Sequence, residues 1–554
     1  MEKLKSILKK DYMKDVIIVA LLVIVYSIIS FIHLGSTVNP QTFGEFSQDT
    51  EVIFELEEES AVSRLRYFLG DKEGKFKVYG STDNYIYNDL GETSGYVLSW
   101  NDLHINQTCK FIKIVGQNNG NLGEIQVYDK FSNKIKAVTS ANEGQKLLDE
   151  PDVVPEIIGY ENSAYFDEVY FAASAYEYAN GLPATEYTHP HLGKILQTIP
   201  VVLFGMTPFS YRMMGNLAGI AIIIVMYVLG KLIFKNRLFA FLPAFLMAFD
   251  NFHFAQTRIG TVDGFLILFC LTSTLFMYKY LTLDKTATLK KKLINLFFCG
   301  LFFGFAVCVK WMGFYTGLGL AIIFFGKMIY DSIKEKKFDK QNIIIMLACV
   351  VFFVIIPCII YITIYFNFET VHGKINTMED FFKITYDMYN FHSTLTATHP
   401  FSSEWYTWPI MQKPVWFHLS DINDSTTSTI ANIGNPAIWW FGIIALIYVL
   451  INAIVKRKKE DIFIIIMYLS VWLPYVWIGR VMFLYHYFMA LPFVMLAIAA
   501  FIKFLIEKFN KKWIIWGYMI IVFVMFWIFY PVSSGIHVPK TYINSLHWFE
   551  TWIF

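Results

Sequence analysis

Adjacent carboxylates at Asp167 and Glu168 open an aromatic-rich segment, GYENSAYFDEVYFAASAYEYANG (159–181), whose spacing predicts an amphipathic helix lying on a membrane face. Neighbouring side chains on a helix point about 100° apart, so the two acids cannot share one task. One can face a cavity and accept a proton while the other orients it or binds a neighbour; the plain alternative is a helix cap. Further clusters set ionisable groups beside apolar runs: Thr188-His189-Pro190-His191-Leu192-Gly193-Lys194, Tyr211-Arg212-Met213, FDNFHFAQTRIGTVD (249–263) and Cys308-Val309-Lys310-Trp311. Charges at that depth are costly unless paired or functional, so the pattern points to a site that handles an anion at a membrane surface. For Arg258, Lys310 and Arg480 the simpler reading is snorkelling to headgroups.

The elements that must hold these residues are set by composition. Of 554 residues, 55% are hydrophobic, 18% aromatic and only 16% charged, with mean hydropathy +0.45; a bilayer is the natural solvent for such a chain. Lys and Arg (46) nearly cancel Asp and Glu (45), which gives no argument for a nucleic-acid partner. All six cysteines except Cys109 lie in apolar runs, excluding a disulfide framework or a cysteine-based zinc site.

Apolar windows of roughly 20 residues predict about eleven spans. They fall near 15–33, 211–233, 237–255, 262–281, 293–309, 312–330, 342–366, 437–455, 462–479, 482–505 and 513–530. The expectation is a polytopic α-helical membrane protein whose first span is a retained anchor. Basic residues crowd every second loop: Lys3 to Lys14, Lys231/Lys235/Arg237, Lys285 to Lys292, Lys334 to Lys340, Lys456 to Lys459 and Lys503 to Lys512. These are expected on the cytoplasmic side. Segments 34–210, 367–436 and 531–554 are then extracytoplasmic, in a multi-pass cell-membrane protein with a cytoplasmic N-terminus.

Residues 45–135 change character to short alternating runs, such as EVIFEL (51–56), LRY (65–67), KFKVY (75–79), KFIKIV (110–115) and EIQVY (124–128), separated by Gly/Asn/Asp clusters. They predict an inserted extracytoplasmic β-sandwich. Its strand order, ending in LGEIQVYD (122–129), resembles the discoidin or galactose-binding-like jelly roll, which implies carbohydrate or polymer binding at the loop tips, a glycan ligand; a spacer or packing module is the alternative. The remaining divisions are 1–34 as tail and first span, 150–366 as catalytic helices and spans, 367–436 as a large outer loop, and 437–554 as the last spans and tail. In the large loop Trp405, Tyr406, Trp408 and Trp416 either line a substrate cleft or form an interfacial belt.

In order along the chain, FDEVYF (166–171), HPHLGK (189–194), AFDNFHFAQTRI (248–259) with Asp263, VKWMGFYT (309–316), HSTLTATHPFSSEWYTWP (392–409), GNPAIWW (434–440), RVMFLYHYF (480–488) and the tail from Tyr530 resemble the protein O-mannosyltransferases, members of the C superfamily of glycosyltransferases. The resemblance takes in nearly everything outside the β insert and is closer to bacterial members. Where the family shows His-Pro-Pro-Leu-Gly-Lys, this chain has His191 at the third place.

That resemblance implies inverting transfer of mannose from polyprenyl-phosphate mannose, a lipid-borne substrate, to Ser or Thr hydroxyls of exported proteins. The family's acidic pair maps onto Asp167 and Glu168, with Asp167 as the base a poorly nucleophilic hydroxyl requires. The leaving group is already a phosphate, so it needs cations more than a proton donor. Arg212, Lys310 and Arg480 are the candidates, with Arg258, His399 and His486 behind them. Arg212 has an alternative as a clamp on the helix of the acidic pair, and His486 as a bond to a neighbouring span. His189, Trp405, Tyr406 and Trp408 are expected at the acceptor or sugar cleft. No metal and no cofactor is expected, since the histidines show no tight ligand spacing. The rivals are a lipid-phosphate-sugar transferase acting on a lipid or cell-wall polymer, a transporter or flippase, for which internal repeats are wanting, and a catalytically silent receptor.

Overall fold

The computed structural model describes residues 2–284, 286–336, 340–366 and 368–554; Lys285, Lys337 and Asn367, named above in two basic loops and at the start of the large loop, lie outside them. In hydrocarbon every backbone N–H must find its acceptor within its own segment, so the apolar runs form helices. Helix α1 (Glu2–Phe31) leads into a module of eight strands, β1 (Gly44–Phe46) to β8 (Ala137–Val138). Two shorter helices follow, α2 (Glu168–Asn180) and α3 (Leu192–Phe204). Then come α4 (Pro208–Phe234), α5 (Arg237–Ala248), α6 (Asn251–Arg258), α7 (Asp263–Leu281), α8 (Leu289–Val309), α9 (Gly313–Glu335) and α10 (Lys340–Thr363). A segment containing α11 (Met378–Thr394) and a hairpin of Val415–Asp421 with Thr426–Asn432 precedes α12 (Pro436–Lys456), α13 (Lys459–Trp477), α14 (Leu491–Phe509) and α15 (Trp513–Ser534).

Helices occupy all the expected windows. Among the described residues nine are long and apolar enough to cross a bilayer, and α5 with α6, bent by 57°, makes a tenth if the pair is one span. Asp250 sits at that bend: its carboxylate caps α6 through the His253 N–H (3.1 Å) and accepts from the Asn435 N–H (2.8 Å) and Trp439 Nε1 (3.1 Å). The expected window at 482–505 falls on α14, which starts only at Leu491 and carries Lys503, Glu507 and Lys508 in its final turns.

Two polar knots register the bundle at its opposite ends. At one end Asp15 of α1 takes Tyr227 Oη (2.7 Å), Lys231 Nζ (3.0 Å) and Arg237 Nε (2.5 Å). At the other the Arg258 guanidinium donates to the carbonyls of Ser30 (3.1 Å), Ile32 (2.9 Å), His33 (2.5 Å) and Ser534 (3.4 Å), gathering the ends of α1, α6 and α15. The acidic pair lies at this second end. Arg258 is thereby engaged with backbone rather than headgroups or phosphate.

With β2 at Glu51–Leu69, β3 at Phe76–Ser81, β4 at Asn88–Glu92, β5 at Ser99–Gly116, β6 at Gly120–Asp129 and β7 at Lys134–Ile135, the strands of the β module run in the order β1-β6-β2-β5-β3-β4, all antiparallel, with β7 on β6 and β8 on β2. The expected sandwich is one hydrogen-bonded sheet folded over on itself. Runs 51–56 and 65–67 belong to a single strand, β2 (Glu51–Leu69), broken in register between Glu55 and Ser60, and β5 (Ser99–Gly116) pairs along its length. These irregularities bend the long strands so that Phe54, Leu65, Phe76, Ile112 and Leu122 face one core.

The module is not a tethered spacer. Phe43, Phe68 and Trp100 pack with Ala172, Ala173 and Ala175 of α2 in one cluster, where alanines allow close approach. The Trp100 N–H donates to Ser163 Oγ (3.0 Å) and its Nε1 to Asn39 Oδ1 (3.1 Å). So α2 packs one face under the module, with residues 159–167 forming turns ahead of it. Trp100→Ala is expected to cost about 3–5 kcal/mol, seen as a lower Tm in detergent and faster proteolysis between the module and α2.

Candidate active site

Phe166 adopts a left-handed backbone (φ 51°), uncommon for a bulky residue. Its ring is fixed against Phe417 (centroids 4.5 Å apart) and Tyr485 (6.3 Å), and the two carboxylates that follow part company. Glu168 turns inward and is fully buried. It accepts from Arg212 Nε and Nη2 (both 2.7 Å) and from the N–H groups of Gly260 (2.7 Å) and Tyr165 (3.2 Å). The other Arg212 hydrogens go to the carbonyls of Leu34 (3.0 Å), Tyr160 (2.8 Å) and Ser163 (3.1 Å). All the guanidinium N–H groups are thus used, and none is left for a phosphate. The geometry is that of the clamp.

Asp167 stays half-buried, and among the described residues no donor reaches its carboxylate. Burial lifts its pKa to about 6, against the pull of Lys310 and with the help of Asp263 and Glu186. Lys310 acts from close by, but Asp263 holds its ammonium at 2.9 and 3.1 Å. A desolvated, unbonded carboxylate with a pKa near neutrality is suited to take a proton from an alcohol.

HPHLGK braces the adjoining wall. Fully buried Lys194 donates to Glu186 Oε2 and O (both 2.6 Å) and to the His189 carbonyl (3.1 Å). Burial would raise the Glu186 carboxyl, but Lys194 and His189 hold it well below the carboxylate range. Glu186 in turn fixes His189 through Nδ1 (3.1 Å), so this half-buried ring stands beside His392 (5.5 Å) and Phe171 (5.5 Å). His191 is buried, stacked on Phe368 (4.9 Å) and against Tyr365 (4.4 Å), so the departure from the family's proline fills a packing position. Glu186 and Lys194 carry no role in the sequence reading, and Asp263 appears there only within a motif. The signal that finds them is charge accounting, because a lysine inside an apolar helix demands a carboxylate partner.

Among the named cations Arg480 differs from the rest. It is half-buried and makes no ion pair or hydrogen bond with the described residues, yet its charge reaches Tyr485, His486 and His392. His486 is tied through Nδ1 to the Phe483 carbonyl (3.0 Å) and stacks on Trp408 (5.9 Å). Trp408 is wholly buried, bonded to Ser403 Oγ (3.1 Å), and lines neither cleft nor belt. Trp405 packs on Trp472 (5.1 Å), while Tyr406 is exposed. Trp416 donates to Thr429 Oγ1 (3.0 Å). His399 accepts the Phe401 N–H (3.1 Å) and packs edge-on against Phe483 (5.1 Å). Below Lys310 an apolar cavity of about 580 Å³ opens between α7, α8, α9 and α10, lined by Met277, Phe303, Phe314, Phe324, Cys349 and Phe353.

Residues 156–374 match the family described as dolichyl-phosphate-mannose-protein mannosyltransferase, and residues 377–552 match the C-terminal four-transmembrane region of protein O-mannosyltransferase. A polyprenol-phosphate-mannose–protein mannosyltransferase of Mycolicibacterium smegmatis is 23% identical over 70% of this chain and 87% of its own length. Dolichyl-phosphate-mannose–protein mannosyltransferase 5 of Candida albicans is 28% identical over 30% of this chain and 26% of its own. The S. cerevisiae Pmt1-Pmt2 complex, solved with its sugar donor, shares the fold with TM-score 0.61 at 13% identity, over 71% of this chain and 89% of that one. Fold and site together define a polytopic membrane glycosyltransferase of the C superfamily. The chain belongs to the protein O-mannosyltransferase family, whose two matched regions span well over half of it and leave the β module outside.

Arg212→Ala strands Glu168 without its counter-charge and is expected to cost about 3–5 kcal/mol, measurable as a fall in Tm of the detergent-solubilised chain.

Proposed function

We propose that this protein transfers mannose from polyprenyl-phosphate mannose to Ser or Thr hydroxyls of exported proteins, with Asp167 as general base. The observation that carries the base assignment is the contrast within the acidic pair: Glu168 is saturated by Arg212, whereas the Asp167 carboxylate is unbonded and desolvated. The acceptor oxygen attacks the anomeric carbon as its proton passes to Asp167. The bond from that carbon to phosphate oxygen breaks on the opposite face, inverting the centre and releasing polyprenyl phosphate. Charge growing on the phosphate falls to Arg480, with Lys310 behind it and no metal in the scheme. The cavity below Lys310 suits an apolar prenyl chain. The crowding of Lys and Arg at the end with Asp15 supports a cytoplasmic N-terminus, with Asp167 and the C-terminal segment on the outer side.

Reconstituted chain with labelled polyprenyl-phosphate mannose and Ser/Thr peptides tests the assignment. Asp167→Asn is expected to lose about 10²–10⁴-fold in turnover with donor affinity kept. Wild-type kcat is expected to climb as pH rises through about 6, where the base ionises, and to level above it. Undiminished turnover in the variant would defeat the base assignment. Label entering lipid or polymer and never peptide would move the acceptor to the rival class. Arg480→Gln is expected to raise donor KM or lower kcat by about tenfold or more, as loss of a charge-assisted contact does, without lowering Tm.

A further inference from the structure

The β module lies outside both family matches, and still it reaches the catalytic carboxylate. Its turn between β4 (Asn88–Glu92) and β5 is fixed on every side. Ser94 exchanges hydrogen bonds with Tyr67 Oη (2.8 and 2.9 Å), the Leu98 N–H donates to the Gly70 carbonyl (2.9 Å), and the Leu98 carbonyl accepts from the Ala164 N–H (2.8 Å), three residues before Asp167. This turn presents Tyr96, 71% exposed, from a rigid base. The Leu98–Gly70 bond sets it beside the following turn, which carries Glu73. Lys72 in that turn is engaged by Glu45 (2.8 Å), whereas Glu73 is exposed and has no ion pair with the described residues. On α2, Tyr170 is 58% exposed. Its phenol lies within electrostatic reach of Asp167, Glu73 and Tyr96, so those three groups are gathered around Tyr170.

From this juxtaposition we infer that the module forms the acceptor-binding wall of the active site. Tyr96, Tyr170 and Glu73 hold the extended polypeptide that offers its hydroxyl to Asp167, and Glu73 favours acceptors with a basic residue beside the Ser or Thr. This extension rests on Asp167 as the base. The occupant follows from position and chemistry. Any hydroxyl bound for Asp167 brings its flanking residues within reach of these side chains, tyrosines give rigid faces and a hydroxyl for backbone groups at small entropic cost, and the lone carboxylate complements a cation.

The experiment measures KM and kcat of the full chain with Ser peptides flanked by Lys or by Glu. Tyr96→Ala is expected to raise peptide KM by about five- to tenfold, the size of a lost aromatic contact, with kcat and donor KM held. Glu73→Lys is expected to reverse the preference, favouring the Glu-flanked peptide, at unchanged Tm. Unaltered peptide KM and preference in both variants would overturn the inference while leaving the base assignment standing. Competition by free oligosaccharide in place of peptide would also overturn it and give the module a glycan ligand. Activity retained in Asp167→Asn would remove the base and this extension with it.

Discussion

A carboxylate and a guanidinium taken wholly out of water can stay ionised only if each satisfies the other and every spare hydrogen finds an oxygen. Glu168 and Arg212 meet that condition, and in doing so they join α4, the start of α2, the loop at Gly260, the turn at Tyr160 and Ser163, and the chain leaving α1 at Leu34. Asp167, the carboxylate proposed as general base, is the next residue back along the chain. Its position therefore derives from a bond it does not make.

The same constraint sorts the remaining charges by elimination. Lys194 is matched by Glu186, Lys310 by Asp263, and Arg258 by backbone carbonyls. Of the charged groups singled out in the motifs, the Asp167 carboxylate and the Arg480 guanidinium make no ion pair or hydrogen bond with the described residues, and in the proposed scheme these two meet the alcohol and the phosphate leaving group.

The β module extends that frame outward. Trp100 and Phe68 are packed on α2 and Leu98 is bonded to Ala164, so the sheet is joined to the helix of the acidic pair by both core packing and backbone. The domain between α1 and the first family-matched segment is thus packed on the helix that follows Asp167.

The amino-acid sequence by itself determined the helices, the ends at which basic loops gather, the β character of residues 45–135 and the acidic pair, since each depends on local hydropathy, local charge or alternation. It also kept both roles of Arg212 in view. The placement of α2 under the module, the burial of Trp408, the joining of β2 into one strand and the part of Glu186 were decided by the tertiary structure alone. The physical reason is that an aromatic at helical spacing reads alike whether it meets lipid, a sheet or solvent. Likewise, a charged side chain does not announce whether a partner many residues away will neutralise it. Only the folded arrangement tells a bound cation from a free one, and the assignment of roles turns on that difference.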